Sequence, residues 1–296
     1  MRYRVHRPGP ALSGLVDYLW SLSDSPEHAR ERIVPSGTIE LVINLAEDEF
    51  RICGSPATAD TFRRFPGAIV SGCYGAPFEF DTRAHASIVG VHFKPGGAAG
   101  LLGMPPGELA DSHVALEELW NRQAIELRER LTLASSPPDK FRIVEHALQA
   151  WLTRGRPARG SVQQALAELD RPGIEVGRVS RGLGLSRRRF IEIFTEDVGM
   201  TPKRYVRVRR FQRALALATA SPSPHWTEIA LECGYFDQAH LCRDWAELTG
   251  VSPSQFVALR RDRVKEGHLA LPQEGSNPSK TPARPVRRFR ATEVRQ

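Results

Sequence analysis

Cysteine is scarce in this chain: four among 296 residues, at Cys53, Cys73, Cys233 and Cys242. None form a CxxC pair, and no His/Cys cluster has the spacing of a zinc site. They read as reduced, mostly buried thiols. Long apolar runs are missing as well. No stretch approaches the ~20 residues that cross a bilayer. The opening MRYRVHRPGP lacks the apolar core of a secretory signal. The expectation is a cytoplasmic protein with no membrane partner. Cofactor loops are absent too: KPGGAAG, from Lys94, has no Gly-Lys-Ser/Thr ending and reads as a turn into a helix. His85 and His92 stand seven residues apart, on opposite sides of any continuous strand. No metal or cofactor is expected. No nucleophile–base pair is visible, so an enzyme is not expected.

What is present is a globular composition with a lopsided charge. Hydrophobic residues make up 41% and charged residues 25%, as in ordinary folded domains. The length suggests about two domains. The formal net charge is +7. Residues 1–159 hold 18 basic and 19 acidic residues, net −1; residues 160–264 hold 16 and 12, net +4; residues 265–296 hold 7 and 3, net +4. Residues 171–213 alone hold 12 basic and 4 acidic residues, net +8. Such a cationic patch points to a polyanionic partner.

The texture changes along the chain. In VPSGTIELVINLAED, Ile39, Leu41, Ile43 and Leu45 alternate with Glu40, Val42 and Asn44, the period of a strand. RRFPGAIVSG and ASIVGVHFKPGG are similar short β-rich runs, and together they suggest a small barrel or sandwich. From about residue 105 the period becomes helical: Leu116, Leu119, Trp120, Leu127 and Leu131, then Phe141, Val144, Leu148 and Leu152 after Pro137-Pro138. TRGRPARG, residues 153–160, reads as a boundary. The expected organisation is α+β. A β-rich, barrel-like domain with helices spans 1–157. An all-α domain follows over 158–264, and a basic, Pro-rich, disordered tail over 265–296.

The all-α part repeats one pattern. IEVGRVSRGLGLSRRRFIEIFTEDVGMTPKRYV predicts a short helix over about 175–181, a Gly turn, a helix capped by Ser186 and ended by Gly199, and a restart at Thr201-Pro202. HWTEIALECGYFDQAHLCRDWAELTGVSPSQFV predicts a helix capped by Thr227, a turn at Gly234, a helix capped by Asp237 and ended by Gly250, and a restart at Ser252-Pro253. Helix, tight turn, helix is the helix-turn-helix arrangement, whose second helix enters the major groove. Residues 201–220 read as one linker helix, with Tyr205, Val208 and Leu215 inward. The outward faces carry Arg187, Arg188, Ile191 and Glu192 in the first unit and Gln238, Ala239, His240 and Arg243 in the second. Arg189 is assigned to DNA contact as well, toward the backbone. Lys203, Arg204 and Arg207, with Arg209, Arg210 and Arg213, are expected on phosphates.

This tandem arrangement resembles the AraC/XylS family of bacterial transcription regulators over roughly residues 160–264. The resemblance is carried mainly by IALECGYFDQAHLCRDWAELTGVSPSQF, with its Gly-aromatic-x-Asp-x-x-His-x-x-Arg order and Gly-x-Ser-Pro ending. SRRRFIEIFTEDVGMTP is similar to the equivalent part of the first unit. It departs at Glu192, which either accepts from a cytosine amino group or pairs with Arg188 or Arg189. VPSGTIELVINL and GVHFKPGGAAGLLGMPPGELAD are similar, more loosely, to the N-terminal part of a regulator subgroup. The resemblance implies a sequence-specific transcription factor that binds promoter or operator DNA. It also implies that the N-terminal domain senses a small-molecule effector, pairs two copies, or both; RNA polymerase is a further candidate partner. The alternative is a β-barrel enzyme or small-molecule-binding domain fused to a DNA-binding module. Residues 226–264 hold 4 basic and 6 acidic residues, net −2, so the first unit and the linker helix are expected to dominate affinity.

Overall fold

The structure, a computed structural model, describes residues 2–24, 30–53, 62–83, 85–152, 157–259 and 268–271. Among the described residues the N-terminal half carries ten strands. They are β1 (Arg2–His6), β2 (Val16–Ser23), β3 (Arg30–Ile33), β4 (Glu40–Asn44), β5 (Glu49–Cys53), β6 (Arg63–Pro66), β7 (Ala68–Ser71), β8 (Phe78–Asp81), β9 (Ser87–Phe93) and β10 (His113–Ala115). An eleventh strand, β11, comes from the far end of the chain, His268–Ala270. The strands form two sheets, ordered β1-β2-β9-β4-β7-β10 and β11-β3-β8-β5-β6, and the paired strands run antiparallel. Among the described strands the two sheets do not pair with each other, so the barrel-like half is not closed.

In strand β4, Leu41 and Ile43 point into a core shared with the helices, and Val42 points into a second core between the sheets. Both faces are covered, so the strand is apolar on both sides. Asn44 is fully buried at its end, where its side chain donates to Glu49 O at 3.1 Å and accepts from Ala46 N and Glu47 N.

Three helices back the first sheet: α1 (Leu116–Trp120), α2 (Arg122–Leu133) and α3 (Pro137–Leu152). The periodic stretch from Leu116 to Leu131 is not one helix. Asn121, at φ 49°, breaks it. The break seats Trp120, whose indole donates to Leu101 O at 3.1 Å and stacks on Trp151 at 4.6 Å.

Among the described residues seven helices follow: α4 (Gly160–Leu169), α5 (Val176–Gly182), α6 (Arg187–Val198), α7 (Pro202–Ala220), α8 (Trp226–Glu232), α9 (Gln238–Thr249) and α10 (Pro253–Leu259). Their core is continuous with that of the first half. Val34, Ile39, Cys73 and Leu109 share a cluster with Val198, Tyr205 and Val208. The tail expected to be disordered from residue 265 is corrected at one point. His268–Ala270 pairs with Ile33–Glu31 of β3, and Leu269 is buried. One apolar side chain and an unpaired sheet edge suffice to dock it. Residues 265–267 and 272–296, the rest of that tail, lie outside the described residues, as does the first half of the 153–160 boundary, residues 153–156.

Candidate nucleic-acid interface

Each helix-turn-helix is built by local chemistry. In the first unit α5 and α6 are separated by Gly184, at φ 66°, a conformation that glycine adopts without strain. Ser186 caps α6, its hydroxyl accepting from Arg189 N at 3.2 Å, and Gly199, at φ 96°, ends the helix. Thr201 caps α7, accepting from Arg204 N at 3.4 Å. In the second unit Gly234 turns the chain at φ 78°, Asp237 caps α9 by accepting from His240 N at 2.6 Å, and Gly250 ends it at φ 72°. One cap differs from expectation. Thr227 lies inside α8, whose N-cap is His225. Its hydroxyl donates instead to Gln238 Oε1 at 2.8 Å, tying α8 to the start of α9.

The packing residues are where the pattern put them. Phe190, Ile193 and Phe194 are buried in the first unit, and Leu241, Trp245 and Leu248 in the second. Trp245 sits edge-on against Trp226, Phe211 and Phe256. The faces left outside carry Arg187, Arg188, Arg189 and Glu192 on α6, and Gln238, Ala239 and Arg243 on α9, all exposed; Ile191 is half-buried. Glu192 reaches Arg188 at 2.9 Å and Arg189 at 3.5 Å. Those guanidinium groups hold its carboxyl below the usual carboxylate range. Arg188 is 91% exposed, so this pair is weak and exchangeable.

His240 is engaged by its own domain. Its Nε2 faces Arg210 Nη2 at 3.3 Å and its Nδ1 faces Phe236 N at 3.4 Å. A neutral imidazole has one acceptor nitrogen, so one of these two long contacts is made at a time.

The linker helix departs most from the sequence reading. Lys203 is exposed, but four of the five arginines of α7 reach carboxylates of the same chain, and the fifth, Arg213, reaches a backbone carbonyl. Arg204 holds Asp111 through two bonds, of 2.5 and 2.7 Å. Arg207 holds Asp244 at 3.0 Å and Glu247 at 2.5 and 2.8 Å. Arg209 meets Asp170 at 2.9 Å, and Arg213 donates to Asp170 O at 3.1 Å. Arg210 meets Asp244 at 2.8 Å and lies over the Tyr235 ring at 4.3 Å. The charge count over 171–213 could not register this, because Asp111, Asp170, Asp244 and Glu247 all lie outside that window. Asp244 and Glu247 sit one turn apart on α9, and Asp170 closes α4. The guanidinium groups of α7 therefore fix the angles at which both units leave the linker.

The N-terminal half holds one arrangement that sequence reading missed. Ser71 Oγ lies 2.9 Å from His113 Nδ1, a hydroxyl–imidazole pair brought together by the β7–β10 register. Burial, with Arg63 nearby, pushes the His113 ring down to about 3, far from the range of an effective general base at neutral pH. Its Nε2 is buried without a hydrogen-bond partner, so no carboxylate orients it. Cys73, also buried, donates its thiol to Val198 O at 3.0 Å and is pushed up to about 12, which makes it a poor redox sensor. Among the described residues no group of three or more His, Cys, Asp or Glu could hold a metal, and no helix is long and apolar enough to cross a membrane.

Two family profiles match. A helix-turn-helix domain covers residues 179–259, and a domain of unknown function (DUF6597) covers residues 4–115. An "Uncharacterized HTH-type transcriptional regulator" of Haemophilus influenzae is 39% identical over 72 residues, 24% of this chain and 24% of that protein. A "Probable thc operon regulatory protein" of Rhodococcus erythropolis is 31% identical over 118 residues, 38% of this chain and 35% of that protein. The chain thus spans between a quarter and about a third of the length of these curated relatives. Among solved structures, an apo point variant of ToxT from Vibrio cholerae superposes with a TM-score of 0.47 at 9% identity, over 81% of this chain and 96% of that one. The C-terminal domain of AraT, a response regulator of Geobacillus stearothermophilus, has a TM-score of 0.32 at 20% identity, over 40% of this chain and 93% of that one.

Proposed function

Residues 179–259 are a helix-turn-helix domain of the AraC type, and from that premise we propose that the chain is a sequence-specific DNA-binding transcription factor acting at bacterial promoters, in the cytoplasm, and answering to a small molecule through its N-terminal half. One observation carries the reading. Two capped helices, α6 and α9, expose polar N-terminal faces and are held by a single helix stapled to both units. A helix of 19 residues spans about 28 Å, close to the roughly 34 Å of one DNA turn. That spacing suits insertion of α6 and α9 into successive major grooves.

In this reading Arg187, Arg188 and Arg243 read base edges, with Gln238, Ala239, Ile191 and Glu192 shaping the contact. Arg189 and Lys203 hold phosphates. His240 acts through Arg210 and the start of α9. Arg204 and Arg207 reach phosphate only by leaving Asp111, and Asp244 and Glu247. Among the described residues the first unit keeps more exposed cations than the second, which favours it as the main source of affinity. Contact with RNA polymerase and pairing of two copies on adjacent half-sites belong to the same reading.

The test is fluorescence anisotropy on DNA upstream of this protein's own gene, with a scrambled control, at about 150 mM salt, where non-specific attraction is screened. The expected preference is about a thousandfold or more. Equal, salt-sensitive binding to both sequences, with and without candidate effectors, would count against a specific regulator.

A further inference from the structure

Phe236 stands in the turn that leads into α9. It is 87% exposed, the most of any large apolar residue among those described. The start of the helix makes this unusual. An apolar residue just before an N-cap often packs on the fourth residue of the helix. Around the Asp237 cap that pair would be Phe236 and Leu241. Leu241 is fully buried, but Phe236 keeps most of its surface in water, so the staple is not closed. Tyr235 takes the inward place instead. It is buried under Arg210, at 4.3 Å, and lies edge-on to the His240 ring at 5.1 Å. The backbone around Phe236 is anchored on both sides. Tyr235 N donates to Ala230 O at 2.9 Å, and His240 N donates to the Asp237 carboxylate at 2.6 Å. The phenyl ring is thus presented to solvent at the N-terminal end of the second recognition helix, the end that meets base edges.

We propose that Phe236 reads thymine, packing its ring on the 5-methyl group of that base in the major groove. That methyl is the apolar feature of the major-groove edge, and phenylalanine is among the side chains that contact it. The neighbourhood suits the role. Arg243 is the one basic residue of the sequence from 226 to 259, against five acidic ones. The second unit therefore draws little affinity from phosphates and depends on what it sets against the bases. Ala239, exposed in the first turn of α9, adds a small apolar contact of the same kind. Gln238 stands between them in sequence. Thr227 donates to its Oε1 at 2.8 Å, which leaves its Nε2 and one lone pair of Oε1 for N7 and N6 of an adenine. All three side chains favour A·T pairs. The inference rests on the DNA-binding reading above, and it names a base that the second unit selects.

The experiment begins with selection of binding sites by the full chain from a random duplex library. Uracil, which pairs as thymine does and lacks only the methyl, then replaces each thymine of the selected site in turn. Anisotropy measures each affinity. One replacement is expected to weaken the wild type about fourfold, the loss of one buried methyl. Phe236→Ser should bind the thymine site about tenfold more weakly, and should bind the thymine duplex and that uracil duplex alike. Its urea midpoint should match the wild type's, because the ring is exposed; a large fall would mark the ring as structural and count against the proposal. A selected site that tolerates uracil at every thymine, or that holds no thymine, would overturn it. So would a uracil effect that persists in Phe236→Ser. DNA binding untouched by Phe236→Ser would also overturn it and turn the ring toward a protein partner. Each of these results leaves the regulator standing. Selection that enriches no sequence removes the regulator reading itself, and this inference with it.

Discussion

At the scale of the residue, Arg188 and His113 show how exposure and burial set opposite roles. Arg188 lies almost wholly in solvent beside Glu192, a pairing that water and salt screen to little. A guanine edge offers a bidentate partner instead, worth about 1–3 kcal/mol of discrimination. Arg188→Ala should therefore weaken binding to the cognate site by about that amount and leave scrambled DNA nearly unchanged; anisotropy on both sequences measures it. Equal losses on the two would remove Arg188 from the base-reading set. His113 is ringed by Phe65, Tyr74, Phe78 and Phe80. Its folded value of about 3 lies below the ordinary 6.5. Between those values the unfolded chain binds a proton that the folded chain refuses. The stability is whole above about pH 6.5 and is lost as pH falls toward 3, by about 1.4 kcal/mol per pH unit. Urea unfolding at pH 7, 6 and 5 should show the loss setting in near pH 6.5 and approaching that slope between pH 6 and 5, and His113→Gln should flatten it. Identical slopes in the two proteins would mean that the ring is protonated within the fold.

At the scale of the element, the second recognition helix is held by the linker as well as by its own cap and stop. Arg207 of α7 bonds both Asp244 and Glu247 of α9, and Asp244 is nearly buried. Removing the guanidinium leaves Asp244 with Arg210 alone. Arg207→Ala should destabilise the protein by about 1–3 kcal/mol, seen as a lower urea midpoint. The slope of DNA affinity against salt should stay as in the wild type, because this side chain is already neutralised. A slope flatter by about 0.9 with unchanged stability would instead place Arg207 on a phosphate. The contrast marks what the sequence could show. Caps at Ser186, Thr201 and Asp237 and stops at Gly199 and Gly250 were legible, because each is a contact within four residues. So were the buried faces of α6, α7 and α9, which depend only on helical period. Thr227 misled, because its hydroxyl found Gln238, eleven residues away. The α1–α2 break at Asn121 was hidden by an apolar period that runs straight across it. The arginines of α7 were legible as cations but not as partners, since their carboxylates stand 34 to 93 residues away in sequence.

At the scale of the molecule, the sheets and the DNA-binding helices meet along α7. The Gln212 side chain donates to Pro35 O at 2.5 Å, Arg32 reaches Thr249 O, and Arg204 grips Asp111. None of this was legible in advance, because a boundary inferred from composition says nothing of how two halves pack. The C-terminal strand escaped for a related reason: three residues with one buried leucine carry no periodicity, and only an open sheet edge gives them a place. The contact at Asp111 has a consequence for DNA. Arg204 sits in the first turn of α7, beside exposed Lys203, where a phosphate would compete with the carboxylate. Asp111 adopts φ 52° and also accepts from Gly75 N at 2.9 Å. Asparagine tolerates that backbone and keeps that bond through its carbonyl oxygen, while the charge that holds Arg204 disappears. In Asp111→Asn, Arg204 is freed for phosphate. Affinity for scrambled DNA at low salt should rise, and the slope of log K against log salt should steepen by about 0.9. The double variant Asp111→Asn, Arg204→Ala should return the slope to its wild-type value. If the single variant leaves the slope unchanged, Arg204 serves only to hold the two halves together. If it steepens, the N-terminal half restrains DNA binding by occupying a phosphate-binding side chain, and a shift of Asp111 would release it.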